Sequence, residues 1–240
     1  MSNRKKVSKK MNGLDHTFKL KDIIPKTNAQ TDVFDAWDED YNILMHGVAG
    51  TGKTFIGMYL AFRKLLDCGC EPYQKIVIVR SCVQSREMGH LPGDPKEKMQ
   101  EYELPYTAIS SELFGRGDAY NILKTKNNIQ FLSTSFLRGA TFDNCIVIAD
   151  EIQNYNFHEL DTLITRVGPN CKLIMCGDYT QSDLRWDDER KGIHQFLDII
   201  YSMEEDFEFI EFGVEDIVRS KLVKNYIQAK LKLENQSRKD

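Results

Sequence analysis

One stretch constrains the fold of this chain more than any other, the octapeptide Gly47-Val48-Ala49-Gly50-Thr51-Gly52-Lys53-Thr54. It matches the phosphate-binding pattern G-x-x-x-x-G-K-[ST] at every fixed position. The apolar run 41–46 before it is typical of a buried strand, and the apolar residues within 55–66 after it have helical spacing. Because a strand and a helix flank the pattern, we interpret it as a phosphate loop rather than as a glycine-rich turn without a ligand.

The residue types of this loop predict its chemistry. Glycines allow the backbone to wrap closely around a phosphate, so that the amides and the positive end of the following helix face the anion. Lys53 is expected to reach the β- and γ-phosphates of a nucleotide, and the Thr54 hydroxyl is expected to ligate Mg²⁺. We therefore predict that Gly47–Thr54 bind a nucleoside triphosphate together with Mg²⁺.

Length and composition indicate one α/β domain. The chain has 240 residues, of which 41% are hydrophobic and 28% charged, and its net charge of -4 argues against general electrostatic binding to nucleic acid. No apolar run approaches the roughly 18 residues of a membrane span, and the basic start lacks the apolar segment of a secretory signal. The 6 cysteines form no C-x-x-C pair, which is typical of reduced residues in a cytoplasmic protein.

We divide the chain into three parts. Residues 1–26 are polar and basic and are predicted to be a flexible tail, residues 27–233 a single ATPase domain, and residues 234–240 a polar tail. The basic tail would be able to contact nucleic-acid phosphates, although a solvated terminus is the simpler interpretation.

Further apolar runs predict strands at 74–80, 128–132, 145–149, 172–176 and 207–212. Residues 95–126 are expected to form short helices broken by Pro105 and by Gly115-Arg116-Gly117, and the last helix is expected to begin near Ser220. The long segment 81–94 mixes Gly, Pro and charge without periodicity, which favours a functional loop. Strands that alternate with helices indicate a mainly parallel sheet flanked by helices on both faces.

Polar residues follow two of the predicted strands. Asp150 and Glu151 come directly after the strand 145–149, where Asp150 would hold Mg²⁺ through water and Glu151 would act as general base on the attacking water. Acidic charges at a helix N-terminus are the alternative. Gln181 follows the strand 172–176 and is the candidate for sensing the γ-phosphate. Because the carboxyl ends of parallel strands share one edge, these residues should meet the phosphate loop there.

Gln30 lies shortly before the phosphate loop, in a predicted helix capped by Thr27 or Asn28. Helicase-like ATPases place a glutamine that reads adenine before their phosphate loop, so we predict that Gln30 contacts the base. An exposed helical glutamine without a ligand is the alternative.

Several segments together resemble the PhoH family, P-loop ATPases that are related to superfamily 1 helicases and known as phosphate-starvation-inducible proteins. The segments are 76–80 followed by Leu91-Pro92-Gly93-Asp94, then 136–142, 148–154 and 177–184. The resemblance extends from about Gln30 to Lys230. It implies a RecA-like fold, ATP binding and hydrolysis, a ring-shaped oligomer with six copies favoured, and a role on RNA, with single-stranded RNA or DNA as the partner.

The resemblance also includes Asp216-Ile217-Val218-Arg219 near the last predicted helix. A helicase-type motor closes its nucleotide site with an arginine from a second RecA-like domain, and 240 residues leave room for one such domain. We therefore expect the cation to come from a neighbouring copy or from a late segment of the same chain. Arg219 is the first candidate, Arg138 and Arg185 are the alternatives, and an ordinary surface ion pair of Arg219 is the structural explanation without a catalytic role.

Two other classes of function are compatible with a phosphate loop. A small P-loop kinase has to keep water away from the γ-phosphate, whereas Glu151 beside Asp150 would activate water. A nucleotide-dependent scaffold would use the same loop without hydrolysis. We expect an ATPase acting on RNA, and steady phosphate release without an acceptor would distinguish it from both.

Overall fold

The fold is a six-stranded sheet in which every neighbouring pair of strands is parallel. The computed structural model describes residues 18–66, 72–82, 95–178 and 187–237. Within these ranges the strands are β1 (Asn42–Gly47), β2 (Lys75–Arg80), β3 (Ile129–Ser133), β4 (Cys145–Asp150), β5 (Cys171–Gly177) and β6 (Phe207–Phe212). Their order across the sheet is β3-β2-β4-β5-β1-β6. The predicted α/β class with a mainly parallel sheet is confirmed, and the predicted strands agree closely with the observed ones.

Helices cover both faces of the sheet. They are α1 (Asn28–Asp38), α2 (Lys53–Leu66), α3 (Pro95–Phe114), α4 (Ala119–Thr125), α5 (Phe157–Thr165), α6 (Asp187–Tyr201) and α7 (Lys221–Ser237), with short 3-10 turns at Thr134–Phe136 and Ile152–Asn154. Thr27 caps α1, as predicted, because its side chain accepts a hydrogen bond from the Gln30 amide. Across the ranges given above, no helix combines the length and the apolar character that crossing a bilayer requires.

Two apolar layers form the core, one on each face of the sheet. Along β2, Ile76 and Ile78 belong to the layer under α1, α2, α3 and α4, whereas Val77 and Val79 belong to the layer under α5 and α6. Side chains alternate between the two faces of a strand, and both faces are covered here. This double burial explains why the central strands are continuous apolar runs in the sequence. The cysteines of the described ranges are free thiols.

The predicted helix break at Pro105 is wrong. Helix α3 is continuous over 20 residues with Pro105 inside it. Proline removes one helical hydrogen bond and crowds the carbonyl four residues earlier, here that of Glu101, but both residues lie on the exposed side of α3. The opposite side buries Tyr106 and Leu113, and this packing outweighs the local cost. The break predicted at Gly115 is confirmed, since Gly115 has a φ of +65° and α3 ends directly before it.

A buried carboxylate joins α3 to α4. Glu103 is 8% exposed and accepts hydrogen bonds from the Tyr120 hydroxyl at 2.8 Å and from Lys124 Nζ at 2.6 Å. Burial and the hydrogen bond to Glu103 raise the pKa of Tyr120, so its hydroxyl stays protonated. The pair of helices therefore packs beside the sheet as one unit.

The packing also differs from the predicted ends of the domain. Phe18, Leu20 and Ile23, which we assigned to the flexible tail 1–26, pack against the core layer under α1 to α4. The amide of Lys21 donates to the Leu113 carbonyl at 2.9 Å. Helix α7 continues to Ser237, through the start of the predicted polar tail. The folded part therefore begins before residue 27 and ends after residue 233.

We predict that Trp37 is an anchor of the core. Trp37 is 1% exposed, and Lys172 Nζ lies 4.2 Å from the centroid of its ring. Trp37→Ala should lower the free energy of unfolding by about 3–5 kcal/mol, because it leaves a cavity and removes this cation–π contact. Urea denaturation measures the loss. Phe136→Ala is the matched control, since Phe136 is 65% exposed and should change stability by less than about 0.5 kcal/mol. Equal losses in the two variants would contradict the prediction.

Candidate nucleotide site

The phosphate loop lies between β1 and α2, as predicted. Gly47 ends β1 with a φ of +118°, and a Cβ at this position would lie 2.2 Å from the carbonyl oxygen of Phe212. Gly50 and Gly52 have φ values of +81° and +89°. Residues with side chains rarely adopt such backbone angles, so the glycines of the pattern are required by the shape of the loop.

The side chain of Lys53 folds over the loop that it terminates. Its Nζ donates to the carbonyl oxygens of Gly47 at 2.7 Å and Val48 at 2.9 Å. Burial lowers the pKa of the Lys53 ammonium, and the nearby charges of Asp178 and Glu151 oppose that shift. When a phosphate enters the loop, the Lys53 ammonium would exchange its two backbone carbonyl acceptors for phosphate oxygens.

Thr54 and Asp150 meet at the carboxyl edge of the sheet. Thr54 Oγ1 donates to Asp150 Oδ1 at 2.8 Å, and Asp150 is 4% exposed at the end of β4. Burial and the neighbouring charge of Glu151 raise the pKa of Asp150.

The hydroxyl and carboxylate of Thr54 and Asp150 fit Mg²⁺, which prefers hard oxygen donors and takes few of them from protein. In the part of the chain that the structure describes, no group of three or more His, Cys, Asp or Glu side chains is placed to hold a metal.

Glu151 is held in an unusual conformation beside Asp150. Its backbone is left-handed, with φ 55° and ψ 44°, which is uncommon for a residue with a side chain. Gln153 Nε2 donates to Glu151 Oε2 at 2.5 Å, and Gln153 Oε1 accepts from the Asp178 amide at 3.0 Å. Gln153 is 5% exposed. It therefore ties the predicted general base to the end of β5, a role that the sequence did not reveal.

Gln30 on α1 binds the backbone of the phosphate loop. It is 4% exposed, its Nε2 donates to the Thr51 carbonyl at 3.0 Å, and its Oε1 accepts from the Lys26 amide at 2.8 Å. The alternative of an exposed helical glutamine is wrong. The predicted contact with adenine is not tested by these contacts, but both ends of the amide already bind the chain itself, which favours a role in holding the loop.

The segment that carries Arg219 packs on the phosphate loop of its own chain. The Val218 amide donates to the Gly50 carbonyl at 3.2 Å, and Arg219 Cγ would lie 3.1 Å from a Cβ built on Gly50. Arg219 is exposed. Of the alternative cations, Arg138 lies with its guanidinium 2.8 Å from His158 Nε2. Gln181 and Arg185 lie outside the described residues.

Two side chains that sequence reasoning missed lie next to the acidic pair. The Tyr106 hydroxyl on α3 donates to Asp150 Oδ2 at 2.8 Å, and burial raises the pKa of Tyr106 well above its usual value, so the hydroxyl remains a donor. Arg80 pairs in register with Asp150 across β2 and β4, and its guanidinium lies 5.8 Å from the ring centroid of Tyr102. No local pattern predicts either contact, because the partners come from separate elements.

Comparison with known proteins gives a consistent result. The family model described as PhoH-like protein matches residues 22–230. A PhoH-like protein of Synechocystis is 33% identical over 193 residues, which is 80% of this chain and 57% of that protein. Protein PhoH of Escherichia coli K12 is 32% identical over 212 residues, 86% of this chain and 58% of that protein. A PhoH-like protein of Bacillus subtilis is 32% identical over 215 residues, which is 88% of this chain and 65% of that protein. The chain thus spans less than two thirds of the length of these relatives.

Solved structures resemble the chain more distantly. Pif1 of a Bacteroides species in complex with ADP-AlF4 aligns with a TM-score of 0.42 and 14% identity, over 83% of this chain and 44% of that one. The helicase MrfA bound to DNA aligns with a TM-score of 0.44 and 10% identity, over 77% and 27%. At this level of similarity nothing about ligands carries over.

We predict that Gln30 acts on the loop rather than on the base. Gln30→Ala removes the hydrogen bonds to Thr51 and Lys26, and a lost buried hydrogen bond costs about 1–3 kcal/mol. Nucleotide affinity should fall roughly tenfold, by the same factor for ATP and GTP. Titration with fluorescent nucleotides measures both, and Thr31→Ala on the exposed side of α1 is the control. A loss confined to ATP would show instead that Gln30 reads adenine.

Proposed function

The chain belongs to the PhoH-like family, and from this membership we propose that it hydrolyses ATP with Mg²⁺ and acts on RNA as a ring of identical copies. One observation carries the enzymatic part of the proposal. The phosphate loop, the Thr54–Asp150 pair and Glu151 lie together at the carboxyl edge of one parallel sheet.

In this proposal the loop binds the triphosphate of ATP. Backbone amides of Gly47–Thr54 face the phosphates, and Lys53 leaves the carbonyls of Gly47 and Val48 for the β- and γ-phosphates. Thr54 and Asp150 hold Mg²⁺, which when bound offsets the negative charge that develops on the phosphates.

Glu151 is the proposed general base. Its carboxylate is half-buried and lies directly beside Asp150, and Gln153 fixes its orientation. It would accept a proton from the water that attacks the γ-phosphate. A kinase excludes water from this position, so a base placed here favours hydrolysis over transfer to another acceptor.

The proposed action on RNA follows from family membership, with single-stranded RNA or DNA as the polymer. The net charge of -4 argues for contacts to the nucleic-acid backbone at restricted basic sites rather than over the whole surface. The candidates are the basic residues of 1–10, with Arg86 and His90, and all of them lie outside the described residues.

The ring, with six copies favoured, is proposed because a transition-state cation is needed and a head-to-tail contact of identical chains closes into a ring when the rotation allows it. Arg219 is the proposed cation. Its stem lies on Gly50 of its own loop, which supports action within one chain, and its exposed guanidinium is also compatible with a site shared between neighbours.

The function is tested by phosphate release from ATP. Glu151→Gln should still bind ATP with Mg²⁺ but release phosphate about 10²–10⁴ times more slowly, because it lacks the base. Lys53→Ala should bind ATP more weakly and should not release phosphate, because the phosphates lose their ammonium partner. The control is Glu112→Gln, the same change at an exposed residue of α3, which should keep the wild-type rate. A wild-type rate in Glu151→Gln would remove Glu151 from the base role.

The same assay tests the partner and the rival functions. Single-stranded RNA should stimulate phosphate release, and the stimulation should fall between low and high salt, because backbone contacts release counterions. If the stimulation by RNA is the same at low and high salt, binding through the nucleic-acid backbone is contradicted. Binding of ATP without any release would indicate a nucleotide-dependent scaffold, and release only with an acceptor would indicate a kinase.

Arg219→Ala should be strongly impaired, because the developing charge on the γ-phosphate loses its cation. Mixing the inactive variants Lys53→Ala and Arg219→Ala distinguishes action of Arg219 on a neighbouring copy from action within its own chain. If Arg219 acts on a neighbouring copy, some interfaces combine an intact loop with an intact arginine, and partial activity returns. If it acts within one chain, the mixture stays inactive while both variants still assemble, as judged by light scattering. Full activity of Arg219→Ala alone would exclude Arg219, and a loss of activity in Arg138→Ala would then assign the cation to Arg138.

A further inference from the structure

The carboxylate of Asp150 is held from two sides. Thr54 Oγ1 donates to Oδ1 and the Tyr106 hydroxyl donates to Oδ2, both at 2.8 Å. Asp150 and Tyr106 are 4% and 0% exposed. Thr54 belongs to α2 and the phosphate loop, whereas Tyr106 belongs to α3, which contributes no residue to the loop. The second donor therefore reaches the site from a separate part of the fold.

The position of Tyr106 is set by packing in the core. Its ring lies 5.8 Å from the ring of Phe131 on β3, centroid to centroid. The hydroxyl is therefore held by α3 and by the packing of its ring at a place where it donates to Asp150 Oδ2.

We propose that Tyr106 is a positioning residue of the metal site, whose hydroxyl fixes the rotation of the Asp150 carboxylate so that Oδ1 faces Thr54. The proposal rests on the proposed function, since it takes Mg²⁺ with a nucleotide as the ligand. A carboxylate has several acceptor positions, and a fixed rotation presents the same ones to the ion each time. Partners that orient metal ligands typically change metal affinity by about 10–100-fold when they are removed.

A coupling follows from the place of Tyr106 on α3. If the position of α3 sets the affinity for Mg²⁺, then binding of Mg²⁺ favours that position of α3 by the same factor. The metal site is in this way linked to a helix that lies beside the nucleotide loop and not in it.

The test compares two buried tyrosines that each donate one hydrogen bond to a carboxylate. Tyr106→Phe removes the donor to Asp150 and keeps the ring, and Tyr120→Phe removes the donor to Glu103, away from the loop. Binding of fluorescent ADP is measured with and without Mg²⁺. The wild-type protein should bind ADP more tightly with Mg²⁺ than without it. In Tyr106→Phe the factor by which Mg²⁺ tightens binding should be about tenfold smaller, whereas the affinity for ADP without Mg²⁺ should not change. Tyr120→Phe should keep both affinities.

A second measurement places the effect at Asp150. In the Asp150→Ala background Tyr106→Phe should have no further effect on the Mg²⁺-dependent gain, because the two residues act through one contact. An effect of the same size in both backgrounds would overturn the proposal. So would a full gain in Tyr106→Phe, an equal loss with and without Mg²⁺, or failure of Tyr106→Phe to fold while Tyr120→Phe folds. Absence of any gain in the wild-type protein would overturn the proposed function itself, and the inference with it.

Discussion

The hydrogen bond between the Thr54 hydroxyl and the Asp150 carboxylate is the contact on which the site depends. It joins residues 96 positions apart in the sequence. The two residues meet because β1 and β4 are both parallel neighbours of β5, so that their carboxyl ends reach the same edge of the sheet. The Asp178 amide, immediately beyond β5 and between them, binds Gln153, which in turn binds Glu151. Strand order therefore brings the phosphate loop, Asp150 and Glu151 to one edge of the sheet.

The same contact explains how a carboxylate is tolerated at the end of a fully buried strand. Removing a carboxylate from water is costly unless hydrogen bonds or an opposite charge compensate. Thr54 and Tyr106 supply one hydrogen bond each, yet burial and the charge of Glu151 still raise the pKa of Asp150. A cation bound there would offset this cost. Arg80 lies near enough to oppose this shift but does not cancel it, so a bound cation would stabilise the carboxylate further, in line with the proposed use of Mg²⁺.

The features that the sequence predicts correctly are those that local sequence patterns determine. The glycine spacing of Gly47–Thr54 and the apolar runs of the strands depend on neighbouring residues, and both were predicted correctly. The break predicted at Pro105 was wrong because the packing of the buried face of α3 stabilises the helix by more than one lost hydrogen bond costs. This packing depends on other elements and is not visible in a local pattern. Tyr106 and Gln153 were missed as site residues because their partners lie in other elements.

The first tail was assigned too long for a different reason. Lys and Arg make up 8 of the residues 1–26, and this charge obscures the apolar spacing of Phe18, Leu20 and Ile23. Their partners are distant in the sequence, since the ring of Phe18 lies 4.7 Å from that of Phe114 on α3, centroid to centroid. A charged composition therefore does not exclude packing when apolar residues recur within it.

The backbone of the phosphate loop is held by hydrogen bonds to segments that are distant from it in the sequence. The Val48 amide donates to the Phe212 carbonyl at 3.0 Å, the Gly50 carbonyl accepts from Val218, and the Thr51 carbonyl accepts from Gln30. Each contact comes from an element distant in the sequence, so the loop is formed before any ligand enters it. Binding then requires mainly side chains such as Lys53 to change partners, and a loop that is already ordered loses little conformational entropy on binding. Gly47 and Gly50 each meet two requirements of this loop, a positive φ and the close approach of another segment, which is Phe212 at the end of β6 for Gly47 and Arg219 for Gly50.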